Sequence, residues 1–257
     1  MRQFFLEIGW GWTYFIYIFI LFYGERFAMG KVVEKTDLKV NYSRKVNHFF
    51  LFFSHIYISN IFNNPSLDFI GGVIAMTMLG LSFNKFSRTR LGFLSNFLST
   101  CFQSFDRPED RPYTLRWLLV QYASSYLVVI PSMILFRKFG MGELAYVPLL
   151  INAIGDGLAE PVGVTWGKRN RYRVKSLFGN KKTEYFRSWA GSSCVFFSAI
   201  GIIALNHNLF NQDQLWMTLT IVPFIVTFAE ARSPHTVDSP FILLAGYASL
   251  GGIFWIF

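Results

Sequence analysis

Charge is what this chain has least of. Asp, Glu, Lys and Arg account for 15% of its 257 residues, against about 25% in ordinary soluble domains. Cysteine is nearly missing as well. Cys101 and Cys194 stand far apart, fit no metal-ligand spacing and read as two isolated reduced thiols. No Gly-x4-Gly-Lys-Ser/Thr stretch occurs, which excludes a Walker A phosphate loop. The run from Phe15 to Tyr23 lacks a small-residue cleavage pattern, so it reads as a retained span and not as a signal peptide. Internal repeats and low-complexity tracts are absent too.

Apolar surface fills the chain instead: 53% of residues are hydrophobic, 19% are aromatic, and Phe alone occurs 30 times. A mean hydropathy of +0.35 belongs with polytopic membrane proteins. Apolar runs at 4–23, 48–62, 67–84, 114–136, 144–166, 188–206, 215–230 and 240–257 approach the roughly 20 residues that cross a bilayer. Pro131, Pro161 and Pro223 fall inside such runs. The expected fold is therefore all-α: a transmembrane helical bundle of about 7–8 spans, a single integral membrane domain over 1–257, with a kinked or broken helix at 150–167.

The net charge of +9 reads as an orientation signal, with no nucleic acid as partner. Every Lys and Arg except Arg2, Arg137 and Lys138 lies in 24–47, 85–116, 167–187 or just after the seventh run, at Arg232. The connections 63–66 and 207–214 carry neither. By the positive-inside rule the loops 24–47, 85–113 and 167–187 face the cytoplasm. Localisation follows as multi-pass, in a bacterial inner membrane or an organellar or ER membrane.

One carboxylate interrupts the apolar pattern. Asp156 lies in the run 144–166, and Asn152, Asp156 and Glu160 recur at i, i+4 and i+8 on one helical stripe. An Asp at bilayer depth costs about 2.5–3.5 kcal/mol on insertion scales, so one that is present generally serves a site. Asp156, Ala159, Gly163 and Gly167 share a neighbouring stripe, a spacing that also serves plain helix packing. A structural hydrogen bond is the plainer role for Asp156. Contact with anionic lipid is the plainer role for the basic stretch 168–187. His207 and His235 carry no signal.

These residues reach a known pattern. Asp156-x2-Ala159-x3-Gly163-x3-Gly167, a basic stretch, and Arg187-Ser188-x2-Gly191-Ser192 resemble the CTP-binding signature of the dolichol kinase, phytol kinase and yeast-type diacylglycerol kinase family. Arg44-Lys45-x2-His48 is similar to that family's early element, and Glu230 with Asp238 to its late one. The resemblance spans a core of about 44–240. It departs at Ala190, where the family usually has Glu, and at Ser239, where it has Asn.

The resemblance implies a CTP-dependent membrane kinase that phosphorylates a lipid alcohol, either an isoprenoid alcohol or diacylglycerol, at the cytoplasmic face. It implies catalytic roles for Asp156, Asp238 and His48. Nucleotide would meet Asn152, Ala159, Gly163, Gly167, Lys168, Arg187, Ser188, Gly191 and Ser192. Mg²⁺ or another divalent metal would meet Asp156 and Glu160, and the lipid Arg44, Lys45 and Glu230. Phosphoryl transfer needs little beyond positioning and charge neutralisation, and Mg²⁺ takes one or two carboxylates together with phosphates. Two other readings use the same residues: a phosphatidate cytidylyltransferase-type enzyme making CDP-lipid, and a non-catalytic lipid-binding or transport protein.

Overall fold

The computed structural model describes residues 2–62, 65–177, 184–235 and 237–256, with side chains before residue 19 and between 54 and 72 outside that description. Lys181 and Lys182 of the basic stretch therefore lie outside the described residues. Ten α-helices form among them, and their contacts gather into two compact units, Met1–Pro108 and Glu109–Phe257. Each unit has buried residues of its own.

The first unit holds α1 (Arg2–Lys35), α2 (Val40–Phe62), α3 (Pro65–Phe83), α4 (Lys85–Arg90) and α5 (Phe93–Gln103). Much of 24–47 and 85–113, expected as loops, is helical. The reason is local. The 34 residues of α1 rise about 51 Å, so the helix outruns its apolar part, and Lys31 pairs with Glu34 at 2.6 Å on its polar end. Asn84 caps α4 by accepting the Ser87 N–H at 2.9 Å. Phe22, Phe83, Phe102 and Phe105 pack as tilted, stacked and edge-on rings, and the buried Arg26 lays its guanidinium 3.9 Å from the Phe22 ring.

The second unit holds α6 (Thr114–Lys138), α7 (Tyr146–Trp166), the strands β1 (Arg171–Val174) and β2 (Tyr185–Ser188), α8 (Trp189–Leu205), α9 (Gln212–Arg232) and α10 (Asp238–Ile256). Helix α7 packs along α8, α8 along α9, α9 along α10, and α10 returns to α7, with α6 outside against α10. Of the kink or break expected at 150–167, the break does not occur: α7 runs continuously to Trp166 with Pro161 inside it. Pro161 removes one N–H, but α8 holds α7 along this length, and Thr165 Oγ1 donates to the Pro161 carbonyl at 2.8 Å. The segment 167–187, expected as a loop, makes a 3₁₀ turn at Gly167–Arg169 and an antiparallel hairpin pairing Tyr172 with Arg187 and Val174 with Tyr185.

Four helices among the described residues are long and apolar enough to cross a membrane: Thr114–Lys138, Glu143–Arg169 (a helical stretch that includes α7), Gln212–Arg232 and Asp238–Ile256. Their outward faces are apolar, with Leu127 and Trp255 both 76% exposed and Phe228 63%. The most apolar stretch of α6 contains no buried residue. Helix α6 packs on α10, where Gln121 Nε2 donates to Ser239 Oγ at 3.1 Å, and its remaining apolar surface is compatible with an apolar surrounding.

Cys101 lies in the core of the first unit, fully buried, with its Sγ 3.7 Å from the Tyr23 carbonyl oxygen. Burial pushes its thiol up from 9.0 to about 12. Because the thiolate is the reactive form, Cys101 should stay unlabelled by a thiol-disulfide reagent at pH 8 in the folded protein and react on denaturation. Labelling with and without denaturant, in a Cys194→Ser background, measures this; rapid labelling of the folded chain would contradict the burial.

Candidate functional site

The site is built at the hairpin end of the α7–α10 ring. Ser188 ends β2 in extended backbone and caps α8, accepting the Gly191 N–H on its Oγ at 3.1 Å. Its hydroxyl thus completes a helix terminus. The small residues of α7 lie directly beneath. A methyl added at Gly163 would come 2.8 Å from Ser188 Oγ, one at Gly167 would collide with the Ser188 side chain, and one at Gly191 would come 2.7 Å from the Ala159 carbonyl oxygen. Gly155 meets the Val195 backbone in the same way. The stripe Gly155, Ala159, Gly163, Gly167 is therefore the seam along which α8 approaches α7. Five residues expected to meet nucleotide (Ala159, Gly163, Gly167, Ser188, Gly191) meet each other.

Tight approach at that seam sets the position of Arg187. On the hairpin it shares a face with Tyr172, its cross-strand partner. Its guanidinium donates to the Glu230 carbonyl, to Ser233 Oγ at 2.8 Å and to the Pro234 carbonyl at 3.4 Å. It also pairs with the Glu230 carboxylate at 3.4 Å and with Asp238 Oδ2 at 3.2 Å. A guanidinium has five N–H donors in a fixed fork, and protein acceptors engage this one from every side. Arg187, expected from the motif to meet phosphate, ties the hairpin to the end of α9 and the start of α10.

Around it the ring helices each contribute a polar group. Ser192 on α8, buried, donates to Glu230 Oε2 at 2.7 Å, and its oxygen lies 2.6 Å from the Tyr172 hydroxyl. Asp156 on α7 is 3% exposed and interacts electrostatically with Glu230 on α9, as does Asp238 on α10. Burial, reinforced by the Glu230 charge, raises the Tyr172 phenol above its usual value of 10.0. Asp156, Ser192, Glu230, Asp238 and Arg187 thus converge, although they come from five elements. Glu160 lies one turn beyond Asp156 and is half-buried, while Lys168 is exposed on the 3₁₀ turn. Asn152 lies one turn the other way and is fully buried.

Two features fall outside the sequence expectation. His235 stacks on Tyr185 with ring centroids 3.9 Å apart, places Nε2 3.2 Å from Asp110 Oδ1, and donates its backbone N–H to the Lys175 carbonyl at 2.8 Å. It clamps the segment just after α9 to the hairpin, and no local pattern announces a contact made across 125 residues of chain. Arg44, Lys45 and His48 belong to the first unit, on α2. There Lys45 is buried, Arg44 and His48 are half-buried, and the His48 ring packs 4.7 Å from that of Phe52. No group of three or more His, Cys, Asp or Glu among the described residues is arranged to hold a metal. Comparison of the chain with protein-family models, with curated proteins and with solved structures returns no match.

Substitutions at three positions check this geometry by denaturation in detergent. Arg187→Ala leaves two largely buried carboxylates without their counter-charge and should cost about 3–5 kcal/mol; Arg187→Lys, a point charge without the fork, should recover less than half. Gly167→Ala should cost about 1–3 kcal/mol through overpacking. Gly201→Ala in α8, where an added methyl meets nothing within 4 Å, should be neutral or stabilising by up to about 1 kcal/mol. Equal effects at the two glycines would contradict the seam.

Proposed function

We propose that the chain is a multi-pass membrane kinase that transfers the γ-phosphoryl group of CTP to a lipid alcohol at the cytoplasmic face. The observation that carries the reading is the convergence of three carboxylates, a buried serine and an arginine at one end of a bundle with an apolar exterior. Such a site lies where a lipid headgroup and a water-borne nucleotide can meet. The ordered resemblance to the CTP-dependent lipid kinases supplies the nucleotide and the acceptor class. Seven or eight spans with basic segments on the cytoplasmic side remain part of this reading, which the four apolar helices support in the coarser form.

The chemistry asks for in-line displacement. The lipid hydroxyl oxygen bonds to the γ-phosphorus, the bond from that phosphorus to the β,γ-bridging oxygen breaks, and CDP leaves with the electron pair. The hydroxyl proton passes to a carboxylate. Asp238 suits that role, because its side chain is 14% exposed against 4% for Glu230 and it can return the proton to water. Arg187 fixes Asp238 and Glu230 in place, a positioning role that requires no contact with phosphate. Lys168 and Arg169, exposed beside the hairpin, supply cations for the triphosphate.

The residues also suit a divalent cation. Asp156 and Glu160 present hard oxygen donors one helical turn apart, about 6 Å along the axis, and would hold a metal whose chemistry is neutralisation of phosphate charge. Two carboxylates are enough for Mg²⁺, which draws the rest of its shell from phosphate and water.

The test is incubation of membranes carrying the protein with CTP labelled at the γ-phosphate and a panel of isoprenoid alcohols and diacylglycerol. Label should enter lipid, and Asp156→Asn should lower the rate at least roughly a hundredfold. Label recovered only as pyrophosphate would instead establish the cytidylyltransferase reaction. No CTP binding with Mg²⁺ by the purified protein would leave the transport reading.

A further inference from the structure

Asn152 is the most anomalous polar residue in the second unit. Its side chain is fully buried, and neither its amide nitrogen nor its amide oxygen has a hydrogen-bond partner among the described residues. An amide offers two donors and two acceptor lone pairs, and burying them unmet is costly enough that native cores rarely keep such a group without a reason. Its flanking residues in α7, Ile151 and Ala153, are both fully buried and apolar. Replacement by Leu would be the simple solution for a group with only a packing role.

Position narrows what the amide meets. Along α7 the stripe Pro148, Asn152, Asp156 repeats every four residues. Pro148 packs against Gly246 of α10, and Asp156 interacts across the ring with Glu230 of α9. The seam with α8 uses the other stripe, through Gly155 and Ala159. Asn152, fully buried between Pro148 and Asp156 on its own stripe, lies in the ring interior about 6 Å further from the hairpin than Asp156.

Chemistry narrows it again. A cation would answer the amide oxygen and be repelled by the N–H groups. An anion would answer the N–H groups and meet the Asp156 carboxylate one turn away. A hydroxyl both donates and accepts, so one hydroxyl answers both atoms. We propose that Asn152 is the binding group that holds the hydroxyl of the lipid alcohol before transfer, one helical turn inside Asp156, and not a nucleotide contact. The identity of the alcohol as acceptor rests on the kinase reading; the binding of a neutral hydroxyl does not. Water carries the same chemistry, and the experiment separates the two.

Full-length protein in detergent is titrated with oleyl alcohol, with diacylglycerol and, as controls, with their methyl ethers, which cannot donate. Thermal unfolding of wild type, Asn152→Leu and Asn152→Ala is followed, the second variant serving if the first does not fold. An alcohol should raise the wild-type midpoint and its ether should not, and both variants should lose that discrimination. With labelled CTP, the variants should show a KM for the alcohol raised about tenfold, the loss of one good hydrogen bond, with the KM for CTP unchanged. Equal response of wild type to alcohol and ether would overturn the proposal. So would a variant that melts higher than wild type and still discriminates, because the amide then serves only water. Discrimination without phosphate transfer by wild type keeps the hydroxyl site and removes the kinase reading. Transfer with an unaltered KM for the alcohol in the variants does the reverse.

Discussion

The fork of Arg187 joins three elements that the chain brings together only after long excursions. Its partners Glu230 and Asp238 lie 43 and 51 residues further on. At the end of α9 the guanidinium shares the Glu230 carbonyl with the Ser233 N–H and hydroxyl and takes the Pro234 carbonyl just beyond the helix, adding positive charge where the helix dipole is negative. The same group neutralises two carboxylates in a poorly hydrated setting. Hairpin, helix end and helix start are thereby fixed to one another, and the polar cluster inherits its geometry from that junction.

The junction depends in turn on how closely α8 can begin beside α7. Ser188 is at once the last strand residue, the cap of α8 and the surface that Gly163 and Gly167 accommodate. A side chain at Gly167 would push the strand outward and carry Arg187, one residue earlier, away from α9. The small-residue stripe thus acts on the site through packing, and the chemistry-bearing groups lie on the adjacent stripe with Asn152 and Asp156. Two stripes of one helix divide the work: one sets distance, the other faces the interior.

Much of the site was legible one residue at a time. Asp156 stood out because a carboxylate in an apolar run is expensive, and Ser192, Glu230 and Asp238 through an ordered pattern. Their partners were not legible. Arg187 in a basic stretch looks like any cation awaiting phosphate, and only its engagement by five protein acceptors assigns it a tying role. The hairpin escaped notice because its strands have four residues each, too short for alternation to rise above a run of charges. His235 escaped for a different reason: stacking on Tyr185 and pairing with Asp110 are long-range contacts without local period.

Composition by itself pointed to the class of surroundings that suits this chain. With so little charge and four helices long and apolar enough to cross a membrane, the chain is compatible with an apolar surrounding, in which a helix satisfies its own backbone groups. Sequence also determined that one carboxylate would lie at depth on α7. Tertiary structure alone decided which groups meet that carboxylate and which glycines serve packing. It alone left the Asn152 amide facing the interior with its hydrogen bonds unmet by described residues. The physical reason is range. Helix formation and apolar preference are settled within a few turns of chain, whereas the pairing of a guanidinium with distant carboxylates depends on where separate helices begin and end.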